Sequence, residues 1–156
     1  MSSVFVARQP IFELGRGLYG YELLYRRDAS IQHADGDTGY MSAEVIAGAM
    51  LGIGLGSLSN GSVAFVNFSR AQLIDESWTL FEPGQVVIEL LESVEPNEET
   101  IDACRRMVEA GYRLALDDYV YTDATKPLLD LATIVKVDVL NRSEEELAQV
   151  AKQLKP

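Results

Sequence analysis

The chain predicts an α/β fold, a largely parallel sheet covered by helices, either doubly wound or closed into a barrel. Three observations carry this. After two extended segments at the start, strand and helix patterns alternate without a break. Strands such as VVIELL and IVKVDV are apolar on both faces, so both faces must be covered. The 156 residues are 47% hydrophobic and 24% charged, which suits one soluble domain with a real core.

Taken in order, VFVARQPIF (4–12) reads as a short strand closed by the turn ELGRG, and YGYELLYR (19–26) as a second strand forming a hairpin with it. RDASIQHADGDTG (27–39) is a polar loop. SAEVIAGAMLGIGLGSL (42–58) reads as a helix with Ser42 as N-cap, although its glycines weaken the pattern. The turn SNGS leads into the strand SVAFVNFS, the short helical RAQLIDES and the strand VVIELLES. PNEETIDACRRMVEAG (96–111) is the clearest helix, with Pro and acids at its start, a stripe of Ile101, Cys104 and Val108, and Gly111 as its stop. RLALDDYV is a strand, TKPLLDLA a short helix and TIVKVDVL a strand. SEEELAQVAKQLKP closes the chain as a helix capped by Ser143. LGIGLGS follows a helix rather than a strand and lacks the third glycine at the required place, which excludes a dinucleotide fingerprint.

Composition removes several functions. Thirteen basic against 24 acidic residues, a formal charge of -11, leave no footprint for a nucleic-acid polymer. A solvated acidic surface accounts for most of that excess, and the balance is compatible with a divalent cation. The single cysteine, Cys104, excludes an intrachain disulfide and suggests a reducing compartment. The single histidine, His33, lies in a polar stretch and weakens any zinc or Ser-His-Asp proposal. No signal peptide and no run of roughly 18 apolar residues is present, so a cytoplasmic protein without a membrane segment is expected.

The informative feature is polar residues near the C-terminal ends of five apolar runs: Glu22, Asn67, Glu89, Asp117 with Asp118, and Lys136 with Asp138. Alternation puts Glu22 on one face with Leu24 and Arg26. In a parallel barrel such ends converge on the mouth, where chemistry is placed. A lone acid there is commonly a helix cap or a rim residue, and Lys136 alone would read equally as half of a buried pair. Five together are of the types that ligate magnesium or manganese, and adjacent Asp117 and Asp118 can hold two ions. Lys136 can neutralise charge or orient water, and Arg26 can hold a phosphate through both guanidinium arms.

These runs resemble a known family. GYELLYR resembles the signature segment of EAL domains, the phosphodiesterases of cyclic di-GMP, with Glu22, Leu23 and Leu24 standing where Glu-Ala-Leu gives the family its name. VNFS, VIELLES, LALDDY and IVKVD resemble further site strands of the family, in family order. VFVARQPIF followed by YGYELLYR is similar to the EAL part of proteins that carry a C-terminal HDOD domain. The resemblance implies a modified TIM-type (β/α)8 barrel with an initial antiparallel strand pair. It implies Glu22, Asn67, Glu89 and Asp117 as ligands of Mg2+ or Mn2+, Asp118 at a second metal, and Lys136 with Glu22 as catalytic residues. Arg26 and Leu24 would contact substrate, and Glu92 and Asp138 would support the site.

Two departures shape the functional expectation. Where the family has a Gly-rich loop after its Asp-Asp strand, this chain has DDYVYTDATKPLL, without glycine. The chain also ends one helix after the Lys strand, so the strands carrying the family's last Glu ligand and its Gln are absent. About six strands are present where closure needs eight. The expectation is a single EAL-like domain over 1–156, lacking the C-terminal part of its barrel. It would be a fragment of a longer protein with an HDOD domain, or be completed by a second copy through the open edge or by a partner. Two functions follow: a silent module that binds cyclic di-GMP or a protein partner, which the departures favour, or an active phosphodiesterase producing the linear dinucleotide pGpG.

Overall fold

The computed structural model describes residues 5–13, 15, 17–26, 48, 54–140 and 142–154. The loop containing His33 and most of the helix expected over 42–58 lie outside the described residues. Strand β1 (Phe5–Phe12) pairs antiparallel with β2 (Leu18–Arg26), with a bulge between Ile11 and Phe12. After the short helix α1 (Leu55–Leu58), strands β3 (Val63–Phe68), β4 (Val86–Leu91), β5 (Arg113–Asp117) and β6 (Ile134–Lys136) add in parallel. Strand order equals chain order throughout. A doubly wound sheet reverses its order at a switch point, so sequential addition selects the barrel arrangement.

Helices connect the parallel strands: α2 (Arg70–Ile74) and a 3-10 turn at Ser77–Leu80, then α3 (Glu98–Glu109) and α4 (Lys126–Leu131); α5 (Glu144–Gln153) follows β6. Their ends follow from single side chains. Ser69 caps α2 in a reciprocal capping box with Gln72, and Ser143 does the same for α5 with Glu146. Asn97 accepts from the Thr100 N–H at the start of α3. At its other end Gly111, at φ 94°, takes the left-handed step, with Gly111 N–H on the Val108 carbonyl and Tyr112 N–H on that of Met107.

The two sheet faces are packed unequally. On the helix-covered face Leu23, Val66, Phe68, Ile88, Leu90, Leu114 and Leu116 join Leu73, Ala103, Cys104, Met107 and Leu128 in the main core. The concave face carries a smaller cluster of Phe65, Val87 and Ala115, flanked by Ile11, Tyr19, Val63 and Ile134. The stripe expected on α3 is shifted slightly: Thr100, Ala103, Cys104 and Met107 are buried, while Ile101 and Val108 are half-buried against the core. Strand β6 is shorter than expected, so Asp138 falls in the exposed segment after it.

Candidate functional site

The pleat that sends Leu23, Val66, Ile88 and Leu114 to the helices sends their alternates to the concave face. There Asn67 lies opposite Glu89 across β3 and β4, and Asp117 lies opposite Lys136 across β5 and β6. Glu22 projects from β2 on the same face, opposite Phe65. Below them Phe65, Val87 and Ala115 form an apolar floor.

Lys136 sits at the centre. Its Nζ donates to Glu22 Oε2 at 2.9 Å and to Glu89 Oε1, and lies 3.6 Å from Asp117 Oδ1. Asn67 Nδ2 donates to the other Glu22 oxygen at 3.4 Å. Two acceptors remain unpaired among the described residues: Asn67 Oδ1 and Glu89 Oε2, both buried. Glu89 is wholly inaccessible. Burial pushes its carboxyl up to about 7, with Lys136 opposing and Glu22 and Asp117 adding to the rise. Asp117 is likewise raised, first by burial and then by Glu22, Glu92 and Asp118, against Lys136. Burial works against the Lys136 ammonium, but its hydrogen bonds and attraction to Glu89 and Glu22 outweigh that and keep it charged.

Asp118 takes a different path from its neighbour. It adopts the left-handed conformation at φ 51°, its N–H donating to the Lys136 carbonyl at 2.8 Å. Its Oδ1 accepts from Arg142 Nη2 at 2.6 Å and from the Asp138 N–H at 3.2 Å. Asp138 turns its own carboxylate to the Leu140 N–H. Glu92 is exposed in the turn after β4, near enough to Asp117 to act on its charge. Leu24 is half-buried in β2, and the side chain of Arg26 lies outside the described residues.

The structure therefore brings together Glu22, Asn67, Glu89, Asp117 and Lys136 and sets Asp118 and Asp138 to one side. Sequence reasoning missed two participants. Arg142 precedes the Ser143 cap, 24 positions from Asp118, and no spacing rule links the two. Tyr119 is the other: its hydroxyl donates to the carbonyls of Leu91 at 2.9 Å and Val94 at 3.0 Å, tying the end of β4 to that of β5.

The donor set is oxygen only, as a hard divalent cation prefers, and two of its acceptors lack a donor. Among the described residues no three Asp, Glu, His or Cys side chains form a ready-made cation site. The Lys136 ammonium stands between the carboxylates instead.

No family model matches the chain. It is 34% identical over 148 residues to the uncharacterised protein YuxH of Bacillus subtilis, covering 92% of this chain and 36% of that one. It is also 34% identical over 143 residues to the cyclic di-GMP phosphodiesterase CdgJ of Vibrio cholerae, covering 90% and 33% respectively. The chain thus spans about a third of the length of these curated relatives. In three dimensions it matches the Bacillus subtilis YkuI protein, with an EAL domain, in complex with its substrate cyclic di-GMP and calcium. That match has a TM-score of 0.68 at 19% identity, over 97% of this chain and 46% of that one. The six-stranded half-barrel is an incomplete TIM-type barrel of that kind.

Proposed function

The chain folds as part of an EAL domain, and from that premise we propose that it is a cyclic di-GMP signalling module that binds the nucleotide without hydrolysing it. The observation that carries this reading is the state of the site. Five strands deliver Glu22, Asn67, Glu89, Asp117 and Lys136 to one concave face, yet the Lys136 ammonium is already paired with Glu22, Glu89 and Asp117, and Asp118 is engaged by Arg142.

Glu22, Asn67, Glu89 and Asp117 would hold a magnesium or manganese ion, the unpaired Asn67 Oδ1 and Glu89 Oε2 being the donors nearest to hand. Such an ion supplies an activated water and charge neutralisation at a phosphodiester. The chain's own residues do the rest. Lys136 offsets part of the negative charge of the cluster and orients what enters it. Glu22, held between Lys136 and Asn67, fixes the β2 side of the site. Leu24 and Arg26, farther along β2, would meet the substrate, Arg26 at a phosphate, while Glu92 and Asp138 support the rim. An HDOD domain in the full protein, a second copy at the open sheet edge and a cytoplasmic location belong to the same reading. They are supported by the opening motif, by the exposed apolar residues beside β6 and by the absence of a membrane-spanning helix among the described residues.

The second reading, an active phosphodiesterase, is supported by retention of every site residue the covered strands supply. Calorimetric titration of cyclic di-GMP into the protein with Mn2+, followed by chromatography of the same sample, separates the two. Binding without a linear product is expected, with Glu22→Ala weakening binding at least about tenfold through loss of a charged partner. Turnover would establish the enzyme, and absence of binding would sink both readings.

A further inference from the structure

Asp117 and Asp118 are neighbours at the end of β5, but only Asp117 reaches the Lys136 cluster. The left-handed backbone at Asp118 turns its carboxylate toward the start of α5. A non-glycine residue rarely holds that conformation unless its surroundings fix it. Here they do so from three sides: the Lys136 carbonyl on its N–H, and the Asp138 N–H and Arg142 on Oδ1. Arg142 is itself anchored, since it directly precedes Ser143, whose capping box with Glu146 fixes the first turn of α5. Both side chains are largely shielded, at 24% and 34% exposure, so the pair is less screened than a surface ion pair. Within the Lys136 cluster the wholly buried Glu89 still presents an oxygen without a donor.

We propose that Arg142 is a positioning residue that holds Asp118 out of the carboxylate cluster and so limits the number of cations the site takes up. The inference rests on the reading of the cluster as a cation site. A cation drawing on Asp118 must displace the guanidinium, so the two compete for one carboxylate and each weakens the other by the same factor.

Mn2+ titration of the full chain tests this, followed by calorimetry and by the electron paramagnetic resonance signal of free Mn2+. Arg142→Gln is expected to take up one further equivalent of Mn2+, or to bind about five- to tenfold more tightly, the yield of releasing one partly shielded ion pair. Asp118→Asn in the Arg142→Gln background is expected to remove that gain, which a merely structural role for Arg142 would not produce. Arg142→Lys, with charge but no fork, should fall between. Equal stoichiometry and affinity in the native chain and Arg142→Gln would overturn the proposal and leave the cation reading standing. No Mn2+ uptake by either would overturn the cation reading and the proposal with it. Should Arg142→Gln fail to fold, Asp118→Asn alone decides. Unchanged Mn2+ binding is expected, because Asp118 is already withheld, and a loss of binding would overturn the proposal.

Discussion

Glu89 shows how much one residue reveals before any coordinates exist. A carboxylate inside VVIELL has no reason to be buried in an apolar strand unless it faces other polar groups. The same logic makes Asn67, Asp117 and Lys136 legible from their places near strand ends. What sequence could not show is the pairing: that Lys136 would settle between Glu22 and Glu89, and that Asp118 would answer to Arg142. Those outcomes depend on a single left-handed backbone step and on a helix start far along the chain. The buried Glu89 also carries a pH signature. Its carboxyl is raised from 4.5 to about 7, so in that interval the folded chain binds more protons than the unfolded one and stability falls as pH rises. The contribution is whole below the lower value and gone above the upper, on the order of 3 kcal/mol. Thermal melts in metal-free buffer should show the melting temperature dropping across this window, and Glu89→Gln should flatten the drop. An unchanged slope in that variant would assign the pH dependence to other groups.

At the level of elements, the strands and helices follow from local signals. Ser69, Asn97 and Ser143 start helices, Gly111 ends one, and apolar runs of four to six residues become strands once they are buried on both faces. Boundaries were less legible. RLALDDYV reads as a strand throughout, but β5 stops at Asp117 because Asp118 leaves extended geometry. One residue gives the sheet a demand that the pattern conceals. Gly20 looks like a weak point in β2, yet a β-carbon there would stand 2.4 Å from the Val63 carbonyl oxygen and 3.3 Å from the Phe65 ring. The obstacle at Val63 is backbone in the neighbouring strand and cannot swing aside. Gly20→Ala is therefore expected to destabilise the chain by roughly 1–3 kcal/mol, read as a lower urea midpoint. A midpoint equal to that of the native chain would mean β2 and β3 have room to separate.

Across the whole molecule the sheet has two edges, and the β6 edge lacks a neighbour among the described residues. Beside it Val120, Tyr121, Val139 and Leu140 are exposed, Leu140 at 72%, and α5 buries none of its residues. Such a surface favours association, so sedimentation of the chain alone should show a dimer that dissociates on dilution. A monomer at every concentration would count against pairing through this edge. The strand-by-strand alternation announced the parallel sheet, but it could not choose between winding and closure. The sequential strand order makes that choice, and the bend of the sheet agrees with it. Lys136 in β6 touches Glu22 in β2, four strand steps away. On a flat sheet four steps span about 19 Å, farther than a lysine and a glutamate can bridge between them. The ion pair is thus a chord drawn across an arc. The distance between those two side chains is therefore a measure of how strongly the sheet curls.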